Sequence, residues 1–244
     1  MLRFLTSSLP SVRDKVRNDI PKEAILKLLA LDTSTEACSA ALYIEGVTQS
    51  RYEFAPRRHA ELILPMVDQL LTEARIKLPA LDAIAFGRGP GAFTGVRIAT
   101  GIAQGLAFSA NLPLIPVSTL ATLAQSAKDR SGFIAAVMDA RMGEVYYGLY
   151  QSNDIVELTG TECVISPDKI IAGNLTRCFG VGSGWANYAD ILRNVFREHL
   201  EGYNADCYPH ARDMIPLALQ AFRNGDLKAP EDAAPVYLRN NVTG

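Results

Sequence analysis

The feature that most constrains this chain is the stretch Gly87–Ser109, a glycine-rich loop running directly into an apolar helix. The loop holds Gly87, Gly89, Pro90 and Gly91, a run that lets the backbone take positive φ and come close to other groups. From Thr94 onward Val96, Ala99, Ala103 and Leu106 form one apolar stripe. Ile98, Gly101, Ile102 and Gly105 form a second, leaving only Arg97, Thr100 and Gln104 as a thin polar line. A helix that is apolar nearly all round is covered on more than one side. Gly101 and Gly105 remove side chains from one face, at a cost of roughly 1 kcal/mol of helix stability each, and close packing must offset that cost. Either the helix is central in its own fold, or one face serves the core and the other a partner protein. This stretch alone leaves both open.

The 244 residues are 48% apolar and 20% charged, ample material for a core in one or two domains. With 24 basic and 26 acidic residues the net charge is −2, without the basic excess of a stand-alone nucleic-acid binder. Cys38, Cys163, Cys178 and Cys207 are widely spaced, which reads as reduced thiols and not as a disulfide framework or zinc site. No apolar run approaches the ~20 residues of a membrane span. A cytoplasmic protein without membrane contact is expected.

Residues 1–24 read as an extension with Leu5, Leu9, Val12, Val16 and Ile20 at helical spacing. From there the pattern predicts strands over 26–33, 38–44 and 47–54 and an unusually apolar helix over 59–74. A strand over 82–87 then enters the glycine loop and central helix. A strand over 114–117 follows, with Ser118 capping the next helix. Strands over 133–139 and 145–150 begin a second set. Leu31-Asp32 and Met138-Asp139 each lead, eleven residues on, to Tyr43 and Tyr150. This repeat predicts two related halves with a cleft between them, 25–128 and 129–244. The later residues predict an extended stretch over 155–165, a short helix at 167–172, a strand over 177–182, and helices over 186–199 and 211–224.

Little here supplies catalysis. Asp32-Thr33-Ser34-Thr35 could receive a phosphate or metal-bound water through hydroxyls and turn amides, or be a self-bonded strand end. No phosphate-loop or dinucleotide fingerprint is present. His59 has Ile63 where a second helical metal ligand would stand, and Gly182-Ser183-Gly184 is not a nucleophile elbow. No catalytic residue and no metal site is expected.

The motifs Leu29-Ala-Leu-Asp-Thr-Ser-Thr35, Gly87-Arg-Gly-Pro-Gly-Ala-Phe-Thr-Gly-Val-Arg-Ile-Ala-Thr-Gly101 and Pro235-Val-Tyr-Leu-Arg239 closely resemble the TsaB (YeaZ) family. The resemblance spans 25–239. It implies the α/β actin/sugar kinase/Hsp70-like (ASKHA) fold with two related βββα-type halves. It also implies a non-catalytic dimerisation subunit that supports a TsaD transferase in forming threonylcarbamoyladenosine at position 37 of tRNAs reading codons that start with A. Partners implied are TsaD, the ATPase TsaE and, in their absence, a second copy; tRNA is met only through the complex. No cofactor is expected in the isolated subunit, ATP/ADP and metal belonging to the partners. The implied contact lies on two helices, at His59, Leu62, Met66, Leu70, Arg97, Ile98, Gly101, Ile102 and Gly105. The alternatives are an ATP-dependent enzyme of the same fold, with Asp32, Thr33, Ser34 and Asp139 as nucleotide-binding candidates, and a metallopeptidase, which the lone His59 disfavours.

Overall fold

The computed structural model describes residues 26–173 and 175–239. The expected extension 1–24 lies outside the described residues. Strand β1 (Lys27–Asp32) pairs antiparallel with β2 (Ala37–Ile44), which pairs with β3 (Val47–Phe54). Helix α1 (His59–Glu73) leads to β4 (Ala83–Gly87), parallel to β1. Helix α2 (Phe93–Ala110) leads to β5 (Leu114–Val117), parallel to β4. The first sheet therefore runs β3-β2-β1-β4-β5.

After α3 (Thr119–Gln125) the plan repeats. Strands β6 (Phe133–Asp139), β7 (Val145–Gln151) and β8 (Glu157–Ile165) form antiparallel hairpins. Strands β9 (Cys178–Val181) and β10 (Leu200–Asn204) add on in parallel, giving β10-β9-β6-β7-β8. Taken from each half's own first strand, the two orders are the same, as the ASKHA expectation requires. The long helix expected over 186–199 is instead α4 (Gly184–Asn187) and α5 (Ala189–Phe196), broken at Tyr188. Helix α6 (Ala211–Asn224) ends as expected, on Gly225 at φ 76.

The repeat slips by one residue. Asp32 pairs with Ser39 and Asp139 with Val145, so Tyr43 sits opposite Leu28 but Tyr150 opposite Ile134. Because strand side chains alternate, Asp32 lies on the side of Leu28 and Ala30, whereas Asp139 lies on the side of Ala135 and Val137. Both aspartates end their strands, but they look to different faces.

Two helices pack across the expected boundary between 25–128 and 129–244. Helix α3, assigned to 25–128, buries Leu120, Leu123 and Ala124 against Ile134, Ala136 and Tyr150 of the second sheet. Helix α6, assigned to 129–244, buries Ala211, Met214, Ile215 and Phe222 against Leu28, Ala30, Ala83 and Ile115 of the first. A linear pattern records which helix faces are apolar, not which sheet they meet. On its other face the first sheet is covered by α1 and α2, through Ile63, Met66, Val67, Leu70, Ala99, Ala103 and Ala107. On the face away from α3 the second sheet carries the short α4 and α5, built around Trp185 and Phe196.

Candidate functional site

The glycine loop brings α2 tight against the β1–β2 turn. A Cβ on Gly87 would land on the Asp32 carboxylate, one on Gly91 on the Ser34 carbonyl, and one on Gly95 on the Thr33 carbonyl. Most of the turn's polar groups are taken up by this packing. Thr33 Oγ1 donates to the Gly95 carbonyl at 2.7 Å, and Ala92 N donates to the Ser34 carbonyl at 2.8 Å. Ser34 donates its N–H and its hydroxyl to Asp32 Oδ1, at 2.9 and 2.6 Å. Asp32, Thr33 and Ser34 are fully buried, and Asp32 Oδ2 has no hydrogen-bond partner among the described residues. Burial raises the Asp32 carboxyl from 3.8 to about 6, the two Ser34 donors pulling the other way. Of the two readings of this turn, the geometry is that of a self-bonded strand end.

Asp139 is placed differently. It lines a cleft of about 480 Å³ between the two halves, together with Ser34, Met138, Ser183, Asn187 and Arg239. Asn187 Nδ2 donates to its Oδ2 at 3.1 Å, and the Arg141 guanidinium stands 3.8 Å away. Asp32 is not in the cleft lining, although Ser34, which is bonded to it, is. Among the described residues, no three His, Cys, Asp or Glu side chains gather as a metal site would require.

The expected contact set on α1 and α2 divides sharply. His59, Met66 and Leu70 are buried, Leu70 completely, because the helix repeat points them inward. Met66 and Leu70 belong to the core under the first sheet. These three are buried positions of this chain. Leu62, Ile98 and Ile102 are half-buried along the rim of that core. Gly101 and Gly105 are exposed, and among the described residues a Cβ on either would meet nothing within 4 Å. On the same helix Phe108 is 81% exposed and Phe93 59%, and Leu64 of α1 is 46% exposed. Arg97 lies 3.2 Å over the Phe93 ring and 4.9 Å from the Tyr237 ring. Phe93 and Phe108 were readable from the motif, since they sit on the outer side of the same helical repeat. No helix of the described residues is long and apolar enough to cross a membrane.

Known proteins resemble this chain in sequence and in fold. A TsaB protein of Escherichia coli, named for tRNA threonylcarbamoyladenosine biosynthesis, is 45% identical over 225 residues, covering 89% of this chain and 96% of its own. The chain belongs to the TsaB family. A Haemophilus influenzae TsaB is 41% identical, covering 89% of this chain and 95% of its own. The solved structure of YeaZ from Pseudomonas aeruginosa matches with a TM-score of 0.82 at 48% identity, covering 88% of this chain and 100% of that one. A family profile described as TsaD, tRNA N6-adenosine threonylcarbamoyltransferase, matches residues 47–243. Fold and family thus agree with the resemblance carried by the three motifs.

Proposed function

We propose that this chain is the non-catalytic partner subunit of a TsaD-type transferase, supporting it in forming threonylcarbamoyladenosine at position 37 of tRNAs that read codons starting with A. The observation that carries this is the outer face of α2. Two glycines there weaken the helix by roughly 1 kcal/mol each, and among the described residues no neighbour makes use of the space they leave. A partner helix lying across them, flanked by Phe93 and Phe108, would. Leu62, Ile98 and Ile102 border that seat. Arg97, held over Phe93, marks its N-terminal end.

In this reading the isolated chain needs no cofactor, nucleotide and metal being held by TsaD and a TsaE-type ATPase, and tRNA is met only through the assembled cytoplasmic complex. Without its partner the chain pairs with a second copy, because an exposed apolar face seeks cover. Light scattering of the purified protein, alone and mixed with its TsaD, tests this. The expected outcome is a dimer that exchanges into a one-to-one heterodimer; a monomer indifferent to TsaD would overturn it.

The second reading, an ATP-dependent enzyme, draws on Asp139 in the cleft. The burial of Asp32 and the use of the Thr33 and Ser34 hydroxyls inside the protein weigh against it. Titration calorimetry with Mg-ATP decides: micromolar binding by the isolated chain would favour the enzyme.

A further inference from the structure

The motif Pro235–Arg239 contributes nothing to the α2 seat beyond the Tyr237 ring, yet it is anchored along its length. Val236 N donates to the Arg88 carbonyl at 2.8 Å, and the Val236 carbonyl occupies the space that a Cβ on Gly89 would need. Tyr237 faces Arg97 and Phe93. Upstream, Gln104 Nε2 of α2 donates to the carbonyls of Pro230 and Ala233. All of these anchors lie in the first half. Arg239 then reaches the other half. It donates to Glu144 Oε2 at 2.5 Å and to the Arg141 carbonyl at 3.5 Å, and it touches Met142 Sδ at 3.3 Å. Between these anchors Val236, Tyr237, Leu238 and Arg239 form part of the cleft wall.

A second tie runs the opposite way. A bulge in β8, where pairing steps from Cys163–Tyr147 to Thr159–Leu149, accompanies the inward turn of Glu162. Its side chain is 7% exposed. Glu162 Oε1 accepts from Ser118 Oγ, the cap of α3, and from Tyr150 OH at 2.5 Å. Its Oε2 stands 3.7 Å from the Arg88 guanidinium. Arg88 is the residue where both ties meet, by its carbonyl and by its side chain.

We infer that Pro235–Arg239 is a strap that, with the Arg88–Glu162 tie, locks the two halves at one opening of the cleft. Only a few residues separate the first-half anchor at Val236 from the second-half anchor at Arg239, and fully extended they span only about 10 Å. The strap has little slack with which to let the halves part. Its far anchor is a turn in which Arg141 and Met142 both take left-handed backbone, at φ 64 and 57, which is uncommon for residues other than glycine. Arg239 holds that turn through its carbonyl and through Glu144. The lock is built from this chain alone and stands whether or not TsaD binds it.

The test is amide hydrogen exchange by NMR on the full chain, comparing the native protein with Arg239→Ala and Arg239→Lys. The strap predicts exchange about tenfold faster at Val236, Ala140 and Glu144 in Arg239→Ala, with the β1 and β6 amides unchanged. Arg239→Lys, which keeps the charge and loses the fork, should fall between. Small-angle scattering of the Arg239→Ala, Glu162→Gln double variant should show a broader distribution of interlobe distances. Unchanged exchange at the three amides, uniformly faster exchange throughout, or an unchanged scattering curve would each overturn the lock.

Discussion

At the start of α2 each glycine is pressed against backbone or a buried carboxylate, whereas at the middle of the same helix Gly101 and Gly105 face open space. The residue type is identical, but the reasons for it differ. Gly87, Gly91 and Gly95 let the helix seat on the β1–β2 turn and close the core. Gly101 and Gly105 close nothing among the described residues. A helix glycine is thus informative only when its neighbours are known: one kind secures the fold, the other is the kind on which the proposed partner seat rests.

The strongest way to break this comparison is at Gly95. Gly95→Val places side-chain carbon on the Thr33 carbonyl and should cost about 4 kcal/mol or more, seen as loss of soluble, cooperatively unfolding protein. If Gly95→Val melted like the native chain, the tight seat would be wrong. Gly101→Leu and Gly105→Leu should do the reverse: thermal stability holds, while affinity for TsaD falls by about 100-fold, near 3 kcal/mol, by calorimetry. Retained co-purification of both variants with TsaD would remove α2 from the interface.

Asp32 sharpens the buried side. Its folded carboxyl titrates near 6 against an ordinary 3.8, so the folded chain holds an extra proton between about pH 4 and 6. Stability from this group is fully present below about pH 4 and is lost as pH rises through 6, leaving a buried charge at neutral pH. Asp32→Asn should therefore stabilise at pH 7 by up to about 3 kcal/mol in urea unfolding, with the gain vanishing by about pH 4. The smallest effect is Gly101→Ala, which should raise the melting stability by roughly 1 kcal/mol through helix propensity alone.

Much of this was legible beforehand because it is local. Strand 47–54, strand 114–117, strand 133–139 and helix 211–224 sit where their apolar periods and caps put them. The break at Tyr188 and strand β10 were not legible, since short amphipathic segments carry too few periods to separate helix from strand. The excess of apolar residues on α1 and α2 stood out as a pattern, yet Met66 and Leu70 could not be told from Leu62 by type. Glu162 left no trace at all: a bulge turned it inward, and bulges follow from pairing with another strand.

The sequence by itself determined the two Asp-ended strand sets, the glycine loop, the doubly apolar helix and, through its three motifs, the TsaB family. Those features are written in runs of neighbouring residues, where periodicity and backbone freedom act directly. Only the tertiary structure decided that Asp32 is sealed while Asp139 lines the cleft, that α3 and α6 each pack on the other half's sheet, and that Pro235–Arg239 ties the lobes together. Each of these rests on packing between segments distant in the chain, which a linear pattern does not record.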